Sequence, residues 1–282
     1  MYNLSGKIAL VTGAASKPGF GHAIAVRLAQ EGADIVVVDK DLPPDGLSED
    51  DHIEGWKGLI SVVEEVEALG QKAFAIKTDI TDGQQVKDMA TKALDKFGKV
   101  DILVNNAGIR EPLAPIIEFD EQIWNRILAV NLTGTFLCSK HIAKSMVERG
   151  GGGKIINFSS LVGKMGAKEM GAYVASKFGI VGLTQTMALE LATYKINVNA
   201  LCPGMSPTNL STGRQIRAEA RSKGISIEEA TNQTYGALIP LVPLGRITMQ
   251  EDIANIVAFL ASSESDYLTG LAISVNGGML MT

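Results

Sequence analysis

Ile35-Val36-Val37-Val38 is an unbroken run of β-branched apolar residues, and a strand of that kind has no face to offer water. It needs cover on both sides, as in a parallel sheet packed between two layers of helices. Similar short apolar runs recur along the chain. Strands are expected at Lys7–Thr12, Asp34–Asp39, Gln71–Thr78, Asp101–Asn105, Lys154–Ser159, Ile196–Leu201 and Leu271–Val275. Helical periodicity fills the intervals at Gly21–Glu31, Leu59–Leu69, Gln84–Phe97, Glu121–Glu148, Gly171–Thr193 and Ile253–Ala261. Repeated strand–helix–strand units force right-handed crossovers and a parallel sheet. The expected class is therefore α/β, as one domain over residues 1–282 with no linker and no internal repeat.

Two stretches break this rhythm. Lys40–Gly58 carries Pro43-Pro44, Gly46 and the acidic run Glu49-Asp50-Asp51, and reads as a long loop. Ser206–Pro243 is polar, with few apolar anchors and with Gly213, Gly224 and Gly236 as joints. It reads as helices on a connection, a lid segment that moves when ligands bind.

Composition narrows the function classes. Apolar residues make up 46% and charged residues 20% of the chain, as in an ordinary globular core. A formal net charge of −5 repels phosphate backbones, so no nucleic-acid partner is expected. Cys138 and Cys202 stand far apart without neighbouring ligand pairs, which argues against a disulfide framework and against a metal site. Met1–Lys7 shows no basic region followed by an apolar stretch, and no segment reaches the roughly 20 apolar residues of a membrane helix. The expected compartment is the cytoplasm, with no membrane partner.

The first strand ends in Thr12-Gly13, and a helix opens at Gly19-Phe20-Gly21. Glycines there admit a pyrophosphate to the backbone, and the helix N-terminus offers N–H groups and a positive dipole end. Such a turn alone is a weak signal. The second strand adds Asp39, placed to accept hydrogen bonds from both hydroxyls of an adenosine ribose. A plain turn-capping role is also open to it. The extra phosphate of NADP would sit beside this carboxylate. Two like charges at about 4 Å repel by ~1 kcal/mol in water and ~4 kcal/mol near a protein surface, which favours NAD. Lys17 in the same loop pulls the other way.

Tyr173 and Lys177 lie one helical turn apart and share a face. A tyrosine of pKa ~10 is a poor base, and a neighbouring ammonium favours its phenolate. Ser160, just past a strand, offers a hydroxyl for a substrate oxygen. A Tyr-x-x-x-Lys pair by itself is most often a wet surface pair.

In combination these residues resemble the short-chain dehydrogenase/reductase family along nearly the whole chain. The resemblance rests on Thr12-Gly13…Gly19-Phe20-Gly21, Asp79, Asn105-Asn106-Ala107-Gly108, Asn131, Ser160, Tyr173-x-x-x-Lys177 and Pro203-Gly204. It implies a Rossmann-type, doubly wound, seven-stranded parallel sheet with helices on both faces. It also implies roles. Tyr173 would be the acid/base, and Lys177 would lower its pKa and hold the nicotinamide ribose. Ser160 would bind the reacting oxygen, and Asn131 would hold a water that relays protons. The family spacing to Tyr173 selects Ser160 over Ser159. On the cofactor side, Gly13, Ser16, Gly19 and Phe20 would form the phosphate loop. Asp79 with Ile80 would meet the adenine, Asn106, Ala107 and Gly108 the adenosine path, and Pro203, Gly204 and Thr208 the carboxamide. Asn105 and Asn106 also have a plain structural role open to them at a strand end.

The chain departs from the family pattern in the glycine loop. Ala14-Ala15-Ser16-Lys17-Pro18 separate its first two glycines, a longer spacing than usual, so whether Ser16 or Lys17 meets the phosphates stays open. Substrate walls are expected from Ile109, Arg110 and Glu111, and from Leu161, Val162, Met165 and Met170. The lid adds Arg214, Arg217, Arg221 and Lys223, which read more simply as its wet face. The expected activity is hydride transfer between NAD(H) and a secondary alcohol/ketone, on a polyol, a sugar derivative or a small hydroxy compound. The alternatives are a 3-oxoacyl-thioester reductase of the same family and a non-catalytic dinucleotide sensor. Long helices with apolar residues on more than one side, such as Phe136, Leu137, Phe178 and Leu183, lead to an expected homotetramer.

Overall fold

The computed structural model describes residues 2–40, 53, 55–110 and 113–282. Among these residues seven strands form one sheet: β1 (Ile8–Thr12), β2 (Asp34–Asp39), β3 (Ala73–Lys77), β4 (Ile102–Asn105), β5 (Gly153–Phe158), β6 (Ile196–Pro203) and β7 (Ala272–Val275). Their order is β3-β2-β1-β4-β5-β6-β7, and every neighbouring pair is parallel. The order reverses direction between β1 and β4, which opens a crevice at the carboxyl ends of those strands.

Alternation along each strand feeds two cores. Ala9, Val11, Ile35 and Val37 face α1 (Phe20–Gln30), α2 (Leu59–Ala68) and α9 (Gln250–Ala261), packing on Ile24, Leu28, Val62 and Val257. Ile8, Leu10, Val36 and Val38 face the other way, onto Val86 and Met89 of α3 (Gly83–Phe97), Ile142 and Met146 of α5 (Thr135–Arg149) and Met187 of α6 (Gly171–Leu191). This is why the run at 35–38 has no polar face. Helix ends follow local chemistry. Asp82 accepts from the Gln84 and Gln85 N–H groups at the start of α3, and Gly98 closes it in the left-handed region at φ 76°. Asp120 caps α4 (Glu121–Leu128) in the same way.

Strand and helix ends differ from the sequence expectation by one to three residues, the usual fraying of element boundaries. Two differences are larger. The single helix expected over Glu121–Glu148 is interrupted by a π-helical turn, Ala129–Gly134, between α4 and α5. Periodicity is blind to one extra residue in a turn. The segment after β6 holds α7 (Gly213–Lys223) and α8 (Ile227–Tyr235), and it is better anchored than its polar composition implies. Ile216, Ala220, Ala230, Tyr235 and Ile247 are buried together, with Met205, Ile225 and Ile239 against them. The Tyr235 hydroxyl bonds Thr212 Oγ1 at 2.6 Å and the Ser206 carbonyl at 3.1 Å. Of the four lid cations, Arg217 donates to Asn209 Oδ1 and Lys223 pairs with Glu219. The acidic part of the Lys40–Gly58 loop, residues 41–52, and Glu111 lie outside the described residues.

Below the sheet, Asp101 ties three elements together. Its Oδ2 accepts from the Ile8 N–H at 2.9 Å and from Lys99 Nζ at 2.8 Å, and its Oδ1 accepts from Arg149 Nη1 at 2.8 Å. Burial pushes this carboxyl up. The bonds from Lys99 and Ile8, with the Lys99 and Arg149 charges, outweigh burial and hold it below the usual range. A carboxylate depressed in the fold stabilises above its unfolded pKa of about 3.9, and that stability is lost as pH falls through the folded value. Asp101→Asn is therefore expected to be less stable than the unaltered protein at pH 7, by about 1.5–3 kcal/mol. The gap should close in urea titrations carried down towards pH 3. A gap independent of pH would contradict the ionic account.

Candidate active site

The crevice between β1 and β4 is built by side chains. Thr12 Oγ1 accepts from the Asn106 and Ala107 N–H groups, each at 3.1 Å. Asn106 Nδ2 donates to the Thr12 and Gly13 carbonyls, each at 2.9 Å. The Asn106 side chain is thus spent on pinning the glycine turn. Gly13 has a φ of 70°, and a Cβ there would stand 2.7 Å from Ala107 Cα, so close approach excludes any side chain. Gly19 begins α1 without a side-chain cap, and the first turn holds no acid. Such a helix start leaves its N–H groups for an outside anion. Phe20 packs near the Phe158 ring, 6.1 Å between centroids.

Asp39 stands at the end of β2, with Oδ2 accepting from the Ala15 N–H at 3.0 Å and Oδ1 from the Lys40 N–H at 2.8 Å. A carboxylate at this strand end is an acceptor for ribose hydroxyls. Asp79 Oδ1 accepts from the Thr81 N–H and hydroxyl. Ile80 is buried against Gly134 of the π-turn. On the other side of the crevice, Pro203 ends β6, the Gly204 N–H donates to the Val275 carbonyl, and Thr208 is buried. The anion-ready helix start and the acid at the neighbouring strand end fit a dinucleotide.

Asn131, Ser160, Tyr173 and Lys177 are brought together from the π-turn, the end of β5 and the first two turns of α6. Lys177 Nζ donates to the Phe158 carbonyl at 2.7 Å and lies 5.5 Å from the centre of the Tyr173 ring. Ser159 Oγ donates to the Lys177 carbonyl at 2.8 Å, so its hydroxyl serves the fold. Ser160 Oγ is not taken by that carbonyl and accepts a long bond, 3.4 Å, from the Val162 N–H. Asn131 is fully buried. Its Oδ1 accepts from the Ile109 N–H at 2.8 Å, and its Nδ2 donates to the Ile109 carbonyl at 3.0 Å and to Ser176 Oγ at 3.1 Å. Ser176 Oγ in turn donates to the Tyr173 carbonyl at 2.7 Å. Gly108 lets this group close up, since a Cβ there would stand 3.2 Å from Asn131 Oδ1 and 3.6 Å from Lys177 Nζ.

Electrostatics here differ from the sequence expectation. Burial pushes the Tyr173 phenol up, and the Ser160 hydroxyl and the Arg110 guanidinium offset this in part. In the protein alone the phenol is raised rather than lowered. Burial also pushes Lys177 down to about 8, against an opposing effect of Cys202, so its ammonium still dominates at neutral pH and is lost on the alkaline side. What the group can do is hold a proton on the Tyr173 oxygen beside a polarising hydroxyl, with a second titratable group one turn away.

Sequence reasoning missed several residues around the site. Ser176 lies in the same helical turn as Lys177 but has no distinguishing spacing. Asn209 of the lid donates to Ser16 Oγ at 2.8 Å, linking the lid to the glycine loop across 193 positions. His22 and Trp56 touch that loop from behind. Asn209, Trp56, His22 and Ser176 each have at least one partner 41 or more positions away, which single-sequence patterns do not carry.

A family model described as Enoyl-(Acyl carrier protein) reductase matches residues 13–280. A short-chain dehydrogenase/reductase of Armillaria gallica is 39% identical over 275 residues, covering 98% of this chain and 96% of the relative. The 3-oxoacyl-[acyl-carrier-protein] reductase FabG of Staphylococcus epidermidis is 38% identical over 276 residues, covering 98% and 99%. A solved structure of an NAD+-bound xylitol dehydrogenase superposes with a TM-score of 0.80 at 31% identity, covering 98% of this chain and 99% of that one.

Proposed function

The chain belongs to the short-chain dehydrogenase/reductase family of oxidoreductases, and from that premise we propose that it is an NAD(H)-dependent enzyme of secondary alcohols and ketones. A polyol, a sugar derivative or a small hydroxy compound is the proposed substrate class. The observation that carries this reading is the cluster of Ser160, Tyr173 and Lys177 beside the crevice, with Asn131 behind it. When bound, the dinucleotide supplies or takes up the hydride. Tyr173 gives or takes the proton at its phenol oxygen, and Ser160 holds the substrate oxygen. Lys177, held by the Phe158 carbonyl, passes charge and protons behind the phenol. Asn131 fixes Ile109 and so the wall that leads to Arg110. NAD is favoured over NADP by the Asp39 carboxylate, and the NAD+-bound xylitol dehydrogenase accords with this choice and with a polyol substrate.

A second reading, reduction of a 3-oxoacyl thioester, is favoured by the FabG relative. Asp39 counts against it wherever that chemistry draws on NADP.

The lid role of 206–243 and the tetramer are part of the same proposal. Asn209 on Ser16 places the lid against the glycine loop in the structure described. Of the apolar side chains on α5 and α6, Ile142, Met146 and Met187 are buried, whereas Phe136, Phe178 and Leu189 are exposed. That leftover apolar surface suits burial against further copies.

Kinetics over a panel of polyols, sugars, hydroxy acids and steroid alcohols test the assignment. Tyr173→Phe is expected to lower turnover at least ~10²-fold while NAD still binds. The unaltered protein should prefer NAD in kcat/KM, and Asp39→Ala should narrow its margin over NADP. Near-normal turnover in Tyr173→Phe, or a native preference for NADP, would overturn the corresponding role. Light scattering at micromolar concentration should give the mass of four chains, and a stable monomer would refute the assembly. Amide hydrogen exchange across residues 206–236 should slow when cofactor and substrate are both present. Equal exchange in the free and bound states would make the segment a fixed wall.

A further inference from the structure

Four successive carbonyls of the lengthened glycine loop are engaged, three of them by side chains from outside it. Trp56 Nε1 donates to the Ala15 carbonyl at 2.8 Å, and the Gly19 N–H donates to the Ser16 carbonyl at 2.9 Å. His22, in the first turn of α1, places Nδ1 2.9 Å from the Lys17 carbonyl. Gln250 Nε2, at the start of α9, donates to the Pro18 carbonyl at 3.0 Å. Two of these donors are themselves fixed. The His22 and Trp56 rings meet edge to face, 4.9 Å between centroids. His22 Nε2 lies 2.6 Å from Glu65 Oε2 of α2. Lys17 Nζ stands 5.7 Å from the centre of the Trp56 ring.

A planar trans peptide directs its N–H opposite to its C=O. Fixing the Ala15 carbonyl on Trp56 therefore turns the Ser16 N–H away from Trp56. Pro18 has no N–H, so the Lys17–Pro18 peptide has nothing to give an anion and can serve as an anchor through its carbonyl. From this we infer that His22 and Trp56 are positioning residues for the pyrophosphate of the dinucleotide, acting through the carbonyls of Lys17 and Ala15. They stabilise one loop conformation in advance, which lowers the ordering cost of binding. The inference rests on the cofactor reading above.

Two near-isosteric variants isolate the effect. His22→Phe keeps the ring against Trp56 and removes both hydrogen bonds. Trp56→Phe keeps an aromatic surface and removes the donor to Ala15. Calorimetric titration with NAD, ADP-ribose and adenosine reads pyrophosphate and adenosine binding separately. Each variant is expected to weaken NAD and ADP-ribose by about fivefold to twentyfold, the scale of one or two hydrogen bonds. Adenosine affinity should stay within about twofold of the unaltered protein. In steady-state kinetics KM for NAD should rise while kcat holds. If all three ligands weaken together, the pair acts on the fold at large and the inference falls. Unchanged ADP-ribose affinity in both variants overturns it too. Failure of the unaltered protein to bind ADP-ribose would instead strike the cofactor reading, and the inference with it.

Discussion

β1 and β4 are neighbours whose connections leave in opposite directions, and the gap this creates has to be held by side chains. The ladder between them pairs Val11 with Val104 and goes no further. Beyond it, Thr12 and Asn106 exchange bonds through side chain and backbone, and Asn106 also holds the Gly13 carbonyl. These few polar contacts set the distance between the glycine turn and the strand that leads to Gly108 and Ile109. The glycine loop, Asp39 and the wall of the reactive cluster all take their positions from it. Its donors and acceptors are matched, which is what a polar network needs to be rigid when water is largely excluded.

The reactive cluster illustrates a contest between burial and charge. Tyr173 and Lys177 are both buried, and burial opposes the charged form of each. Burial thus works against a phenolate on Tyr173 and against the ammonium of Lys177 alike. A positively charged ring entering the crevice would favour the phenolate that burial disfavours. The pair is poised to respond to what binds beside it, a property that helical spacing alone does not convey.

Much of the fold was legible because the strands are buried on both faces, and their apolar runs admit little else. Ser160, Tyr173 and Lys177 were legible as a set through order and spacing, and the structure brings them together. The family spacing to Tyr173 selects Ser160 over Ser159, and the structure adds that the Ser159 hydroxyl is taken by the Lys177 carbonyl. Asn131 was legible only through the family resemblance. The π-turn itself was hidden, because one added residue leaves composition and periodicity nearly unchanged. His22, Trp56 and Glu65 were hidden for another reason. Trp56 reaches the loop across 41 positions, and Glu65 reaches His22 across 43, so no local pattern marks them.

The π-turn also governs how the gene can change. An α-helix advances about 100° per residue, and a π-turn holds one residue more than an α-turn. Loss of a single codon within Ala129–Gly134 would let the segment relax to an unbroken α-helix. Everything from Glu121 to the deletion would then rotate by about 100° against the sheet-facing side of α5. Asn131 would swing away from Ile109, or α4 would lose its seat on α6. Substitutions in this turn can be absorbed one side chain at a time, whereas a change of length cannot. The length of this turn, more than the identity of its side chains, is what keeps α4 and α5 in register.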